Sequence, residues 1–375
     1  MQRLYKQFLF DMTEKLISSV FRKEILALSA YKVAEANKLI KLDAMENPYT
    51  WPDNIKEQWL ETVKDCPINR YPDPEARQLC KTIKQSNKIP ATSEILLGNG
   101  SDEIIQLLLM ALAENASVLA PAPGFVMYKQ VALSLGLDYH AIPLQAESFA
   151  LDMPLMLESI NKTQPSIIFL AYPNNPTANL FKPQDIAKIL AIAPGLVIID
   201  EAYAPFADAS FIEQLPAYKN LLVMRTVSKL GLAGLRLGFI AGEPAIIEQL
   251  NKIRLPYNIN SLTQVTADFA LNNQALFDQQ TQQICIDRKL VLNQLNNITG
   301  IKAYPSSANF ILFRTPKNQA TFIFEALKEH GVLIKNLSPQ AGLLTDCLRV
   351  TIGKPNENKA FIEALTAIID SIKHS

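Results

Sequence analysis

The sequence predicts an α/β protein: a large, mostly parallel sheet flanked by helices, followed by a smaller α+β unit. Three observations carry this prediction. Short runs of Val, Ile and Leu alternate with helix-period stretches through the middle of the chain. Most of these runs are continuous rather than alternating, as in strands buried on both faces. At 375 residues the chain is also too long for one small core.

Taken in order, a proline-rich bend, "RYPDPEARQL" (70–79), opens the larger part. Strands are predicted at "EILLG" (94–98), "ASVLA" (116–120), "SIIFLAY" (166–172), "GLVIID" (195–200), "LLVMR" (221–225) and "LGFIAG" (237–242). Helical patterns at 101–114, 126–136 and 183–192 fall between them, which is the βαβ signature. From about residue 265 the texture changes. A long helix (263–297) leads to "ANFILFR" (308–314), a helix near 319–330, "GVLIKN" (331–336), "CLRVTIG" (347–353) and a last helix (356–373). The expected division is an N-terminal segment (1–60) serving the small domain and dimer contacts, a large domain (61–265) and a small C-terminal domain (266–375).

Bulk numbers narrow the function. Lys+Arg and Asp+Glu are both 36, so no basic field recruits nucleic acid or anionic lipid. Apolar runs such as Ile104 to Ala113 are shorter than the ~18 residues a membrane helix needs. "MQRLYKQFLFDMTEKL" lacks a signal core, so the protein is read as soluble and cytoplasmic. Met12 is an alternative start, with residues 1–11 as an extension. The four cysteines form no CxxC pair, and the three histidines are scattered, so no metal site is expected.

Several loops at predicted strand ends carry polar groups, where open α/β sheets place ligands. "LGNGSDE" (97–103) ends a strand and starts a helix that Ser101 or Asp102 can cap; it is either a phosphate cradle or a plain cap. "AYPNNPTANL" (171–180) holds polar amides in a fixed turn, and alone it is no more than a turn. "IIDEAYAPF" (198–206) puts two acids straight after an apolar strand, where a buried carboxylate needs a partner unless it caps a helix or faces solvent. In "RTVSKLGLAGLRLGF" (225–239), Lys229 follows the next strand, 29 residues beyond Asp200, which can bring both to one sheet edge. A lysine in a dry site is a Schiff-base nucleophile, whereas a lone lysine is ordinarily a surface residue. Ser228 and Arg236 stand beside it as phosphate donors.

The order GNGSDE, PNNPT, DEAY, SK and a following arginine resembles the fold type I aminotransferases that use pyridoxal 5′-phosphate. Among these, "LDAMENPY" (42–49), "RYPDP" (70–74), the lysine segment and "LRVTIG" (348–353) are similar to the histidinol-phosphate aminotransferase family, and the resemblance runs from about residue 25 to the end. It implies a seven-stranded, mostly parallel sheet in the large domain. Lys229 is then the Schiff-base lysine and proton carrier, and Asp200 pairs with the ring nitrogen. Asn175 and Tyr203 bond the phenolic oxygen, and Phe125 stacks on the ring. Ser101, Asp102, Ser228 and Arg236 surround the phosphate, which Tyr71 of a partner subunit also reaches in a homodimer. Arg349 holds the substrate anion, Tyr49 and Lys335 line the substrate pocket near its phosphate, Asn309 lies next to Arg349, and Asn175 also faces the substrate.

The chain departs from the family pattern at Ala178 where Gly is usual, Met45 where Asn is common, Phe125 where Tyr is frequent and Lys335 where many members carry Arg, and Arg236 follows Lys229 by seven residues, one fewer than in many aminotransferases. The implied reaction is transamination of L-histidinol phosphate with 2-oxoglutarate, giving imidazole-acetol phosphate and L-glutamate in histidine biosynthesis. Alternatives are an aromatic amino-acid aminotransferase, a decarboxylase of phosphothreonine type, and a non-enzymatic regulator. A regulator carries a DNA-binding segment, and no helix-turn-helix pattern precedes Asn47.

Overall fold

The computed structural model describes residues 12–30 and 38–373. The proposed extension 1–11 lies outside the described residues. The strands are β1 (Ile40–Lys41), β2 (Glu94–Gly98), β3 (Ser117–Ala122), β4 (Asp138–Pro143), β5 (Ile167–Ala171), β6 (Leu196–Asp200), β7 (Leu221–Thr226), β8 (Gly238–Gly242), β9 (Lys302–Ala303), β10 (Phe310–Arg314), β11 (Val332–Leu333), β12 (Lys335–Asn336) and β13 (Cys347–Thr351). The principal helices are α1 (Asp53–Val63), α2 (Arg77–Ser86), α3 (Ser101–Met110), α4 (Val126–Ser134), α5 (Met153–Thr163), α6 (Pro183–Ile192), α7 (Pro244–Ile253), α8 (Ser261–Asn272), α9 (Gln274–Asn296), α10 (Ala320–Glu329) and α11 (Pro355–Lys373).

Seven strands form the main sheet in the order β2-β8-β7-β6-β5-β3-β4. Neighbours from β7 across to β4 are parallel, and β8 runs antiparallel to both β7 and β2. The continuous apolar runs are explained by burial on both faces. Ile168, Leu170, Val197, Ile199, Leu221 and Val223 face one core, while Ile167, Phe169, Ile198, Leu222 and Met224 face the other. All of these are fully buried. β4, "DYHAIP", was not among the predicted strands. It is the sheet's edge, bonded only to β3, and its half-polar pattern follows from having one covered side.

The predicted helix 263–297 is two helices, α8 and α9, divided at Asn273. "GVLIKN" likewise divides. β11 pairs in parallel with β1 near the N-terminus, and β12 joins β13, β10 and β9 in an antiparallel sheet. That four-stranded sheet and α9 to α11 enclose a second core around Phe310, Phe313, Leu348 and Phe361.

The direction of β8 sets up the site. Parallel strands β5, β6 and β7 all end on one edge, and β8, being reversed, starts there, with Gly238 opposite both Thr226 and Gly98. The loop from Val227 to Leu237 therefore stays at that edge, and it carries both Lys229 and Arg236. No helix among the described residues is long and apolar enough to cross a membrane, and no group of residues there could hold a metal ion.

Candidate active site

A cavity of about 400 Å³ opens at this edge, lined by Ser101, Asp102, Phe125, Asn175, Asp200, Tyr203, Ser228, Lys229 and Arg236. They come from five strand-end segments of the same edge, after β2, β3, β5, β6 and β7, as strand-end placement predicts. Asp200 is the last residue of β6 and is buried. Burial pushes its carboxyl up to about 6, against the hydrogen bonds of the Tyr128 hydroxyl and the Ala202 N–H that favour the charged form. Among the described residues no cation pairs with it at salt-bridge distance. A cation presented from the cavity would complete it.

Lys229 sits on the 3₁₀ turn Ser228–Leu230 that follows β7. Its Nζ donates to the Ala44 carbonyl at 3.2 Å and lies 5.9 Å above the Tyr203 ring. Burial, and after it the charge of Arg349, lowers this amine to about 8, while Glu46 and Asp102 act in the opposite direction. The segment 42–49 therefore crosses over the lysine. Asn47 holds it there by donating to the Leu230 carbonyl and to Gln280.

Opposite the lysine lies a polar chain. Arg349 donates to Asn175 Oδ1 at 2.6 Å, Asn175 donates to the Tyr203 hydroxyl at 3.1 Å, and that hydroxyl lies 3.3 Å from Met45 Sδ. Arg349 also donates to the Asp43 carbonyl, and Asn309 donates to the Met45 carbonyl. Met45, the departure from the family pattern, thus packs directly at the phenol of Tyr203. Ala178, the second departure, is buried at φ 63°, a left-handed conformation that explains why glycine is usual there.

A third feature is an anion cradle. The start of α3 carries no side-chain cap: Gly100 is its N-cap, and neither Ser101 nor Asp102 caps it, as the sequence reading had allowed. Its first N–H groups are left for a ligand. Gly100 adopts φ 86°, and a Cβ there would lie 2.7 Å from Arg236 Nη2. The glycine makes the room in which the guanidinium passes over the helix end. Arg236 itself is held at φ 49° and makes a 3.3 Å contact with Asp102, both half exposed. Ser228 and Thr226, joined by a hydroxyl–hydroxyl bond, complete the wall.

Other predicted residues stand outside this cavity wall. Arg349 on β13 reaches it through Asn175. Lys335 on β12 lies directly opposite Arg349 across the strand pair. Tyr49 is half buried, with its hydroxyl raised by burial and then by Asp287. Tyr71 is 80% exposed and stacks on Tyr257 at 4.4 Å, away from the cavity of its own chain. Tyr128 went unnoticed in the sequence. Its one signal is spacing, a turn of helix beyond Phe125, and that alone does not distinguish it from an ordinary core tyrosine.

The family model for aminotransferase class I and II matches residues 37–365. The chain belongs to this family. A Nitrosococcus oceani protein named histidinol-phosphate aminotransferase 2 is 55% identical over 95% of this chain and 99% of its own. One of the same name from Cupriavidus pinatubonensis is 46% identical, over 94% and 97%. A Sinorhizobium meliloti histidinol-phosphate aminotransferase, solved with pyridoxal-5′-phosphate, superposes with TM-score 0.82 at 23% identity, over 94% and 98%. This aminotransferase's cofactor is pyridoxal 5′-phosphate, and the cavity fits that molecule on its own chemistry. A depressed lysine amine suits its aldehyde, an unpaired buried carboxylate its ring nitrogen, and an uncapped helix end with an arginine its phosphate.

Proposed function

We propose that this aminotransferase acts on L-histidinol phosphate and 2-oxoglutarate, producing imidazole-acetol phosphate and L-glutamate. The observation that carries the chemistry is that one cavity wall presents both Lys229, whose amine is lowered to about 8, and the buried carboxylate of Asp200. When bound, pyridoxal 5′-phosphate supplies the electron sink that stabilises negative charge at the substrate α-carbon. Lys229 Nζ attaches the cofactor and moves the α-proton; an amine lowered to about 8 is partly neutral at physiological pH. Asp200 keeps a proton on the ring nitrogen. Asn175 and Tyr203 bond the phenolic oxygen, and the face of Phe125 covers the ring. Ser101, Asp102, Ser228 and Arg236 hold the phosphate.

Substrate choice rests on the names of the relatives and on one local feature. Lys335 and Arg349 lie directly opposite each other on antiparallel strands, so two cations stand together where they can meet an anion. A substrate carrying a terminal phosphate or carboxylate supplies that anion. Arg349 offers the fork and Lys335 a point charge. Tyr49 and Asn309 shape the same end of the pocket. The decarboxylase alternative draws only on fold-level likeness, since the neighbour described as an L-threonine-O-3-phosphate decarboxylase is 23% identical.

We also propose a cytoplasmic homodimer. Tyr71, with Ile68 and Leu255 exposed nearby in sequence to it and to its stacking partner Tyr257, forms an apolar surface suited to a second copy, whose cofactor phosphate Tyr71 would reach. The division into 1–60, 61–265 and 266–375 is proposed on the same footing, supported by the pairing of β1 with β11. The test is the absorbance of the cofactor-loaded protein before and after adding L-histidinol phosphate without a keto acid. Conversion to the pyridoxamine phosphate spectrum is expected. A spectrum indifferent to this amine would exclude it as substrate.

A further inference from the structure

We infer that Tyr128 is a positioning residue for the cofactor ring, acting through Asp200: its hydroxyl fixes the rotation of that carboxylate and keeps it ionised. The inference rests on the proposed pairing of Asp200 with the ring nitrogen. Tyr128 donates from Oη to Asp200 Oδ2 at 2.5 Å, with both groups buried. The other oxygen, Oδ1, accepts from the Ala202 N–H at 3.1 Å. One donor on each oxygen removes the free torsion that a carboxylate at a strand end otherwise has.

The tyrosine is itself buried and packed between aromatic rings. Its ring stacks on Phe169 at 4.4 Å and 10°, and meets Phe125 edge-on at 5.5 Å and 83°. Phe125 lines the cavity and precedes α4, which carries Tyr128 in its first turn. One helix end therefore presents both the ring proposed to cover the cofactor's face and the hydroxyl that holds its nitrogen partner. A phenol bonded to a carboxylate is a charge-assisted contact, stronger than a neutral one. The other ionisable groups acting on Asp200 are Asp102 and Glu201, and both disfavour its charge. Tyr203, also influenced by Asp200, faces the cavity. Tyr128 is thus the side chain that offsets burial and like charge at this position. The plainer account is a core tyrosine whose hydroxyl merely needed an acceptor.

The experiment compares cofactor release from the holoenzyme after dilution in wild type, Tyr128→Phe, Asp200→Asn and the double variant. The pH titration of each bound cofactor's absorbance is recorded alongside. Phenylalanine keeps the stack on Phe169, and unfolding midpoints check that the fold is intact. Tyr128→Phe is expected to speed release about tenfold, the scale of one charge-assisted hydrogen bond, and to shift the spectral titration. In the Asp200→Asn background the same change is expected to add nothing. Independent, multiplying effects in the double variant would make Tyr128 a packing residue and overturn the inference. So would release and titration like wild type in Tyr128→Phe while Asp200→Asn releases fast. Slow release in Asp200→Asn itself would instead overturn the ring-nitrogen proposal, and this inference with it.

Discussion

Replacing Lys229 by methionine should stabilise the cofactor-free protein, and by an amount that depends on pH. The structure holds this amine buried, near Arg349, and lowers it from 10.5 to about 8. The unfolded chain keeps its lysine charged up to the ordinary value, so folding releases a proton between these two values. The folded state therefore carries its full penalty below pH 8, and the penalty fades as pH rises towards 10.5. From that shift the penalty is about 3 kcal/mol at pH 7 and roughly half of that at pH 9.5. Methionine fills a similar volume and removes the charge. Urea unfolding of the cofactor-free wild type and Lys229→Met at both pH values measures the difference. The variant is expected to be more stable at pH 7, with its advantage shrinking by about half at pH 9.5. A stability difference that does not change with pH would refute the buried-amine argument, because packing effects of the substitution are the same at both values.

Three further predictions concern anion binding. Arg349→Ala is expected to damage both half-reactions, with kcat/KM for either substrate falling about a hundredfold, the scale of a buried charge-assisted contact. Lys335→Ala is expected to raise KM for the phosphorylated substrate more than for glutamate, and equal effects on the two substrates would remove Lys335 from phosphate recognition. Gly100→Ala puts a side chain at φ 86° and 2.7 Å from Arg236 Nη2. It is expected to lower stability by about 1–3 kcal/mol and to speed cofactor loss; a variant with wild-type unfolding and retention would show that the cradle does not need the glycine.

The parts of this protein that the sequence determined by itself are those written in local chemistry. Runs such as "IIFLA" and "LVIID" announce doubly buried strands, because an unbroken apolar run has no solvent face to accommodate. The loops after them announce the site, because carboxylates, amides and a lysine are costly directly beyond such strands unless something binds them. Asn175, Asp200, Tyr203, Ser228 and Lys229 all reached one cavity for that reason. Elements whose signal is weak or shared went the other way. β4 is half polar because only one side of it is paired, and the division of the 263–297 helix turns on Asn273, a single residue within an otherwise helical pattern.

Only the tertiary structure decided the pairings between distant residues. The reversal of β8 brings Arg236 back beside Lys229. The crossing of segment 42–49 supplies the Ala44 carbonyl to the lysine amine. Register between β12 and β13 sets Lys335 against Arg349, and packing of α4 on the sheet puts Tyr128 on Asp200, 72 residues away. Spacing along a chain reports turns and faces of single elements. It carries no record of which element packs on which, and the depressed amine, the raised carboxyl and the anion cradle all arise from those contacts.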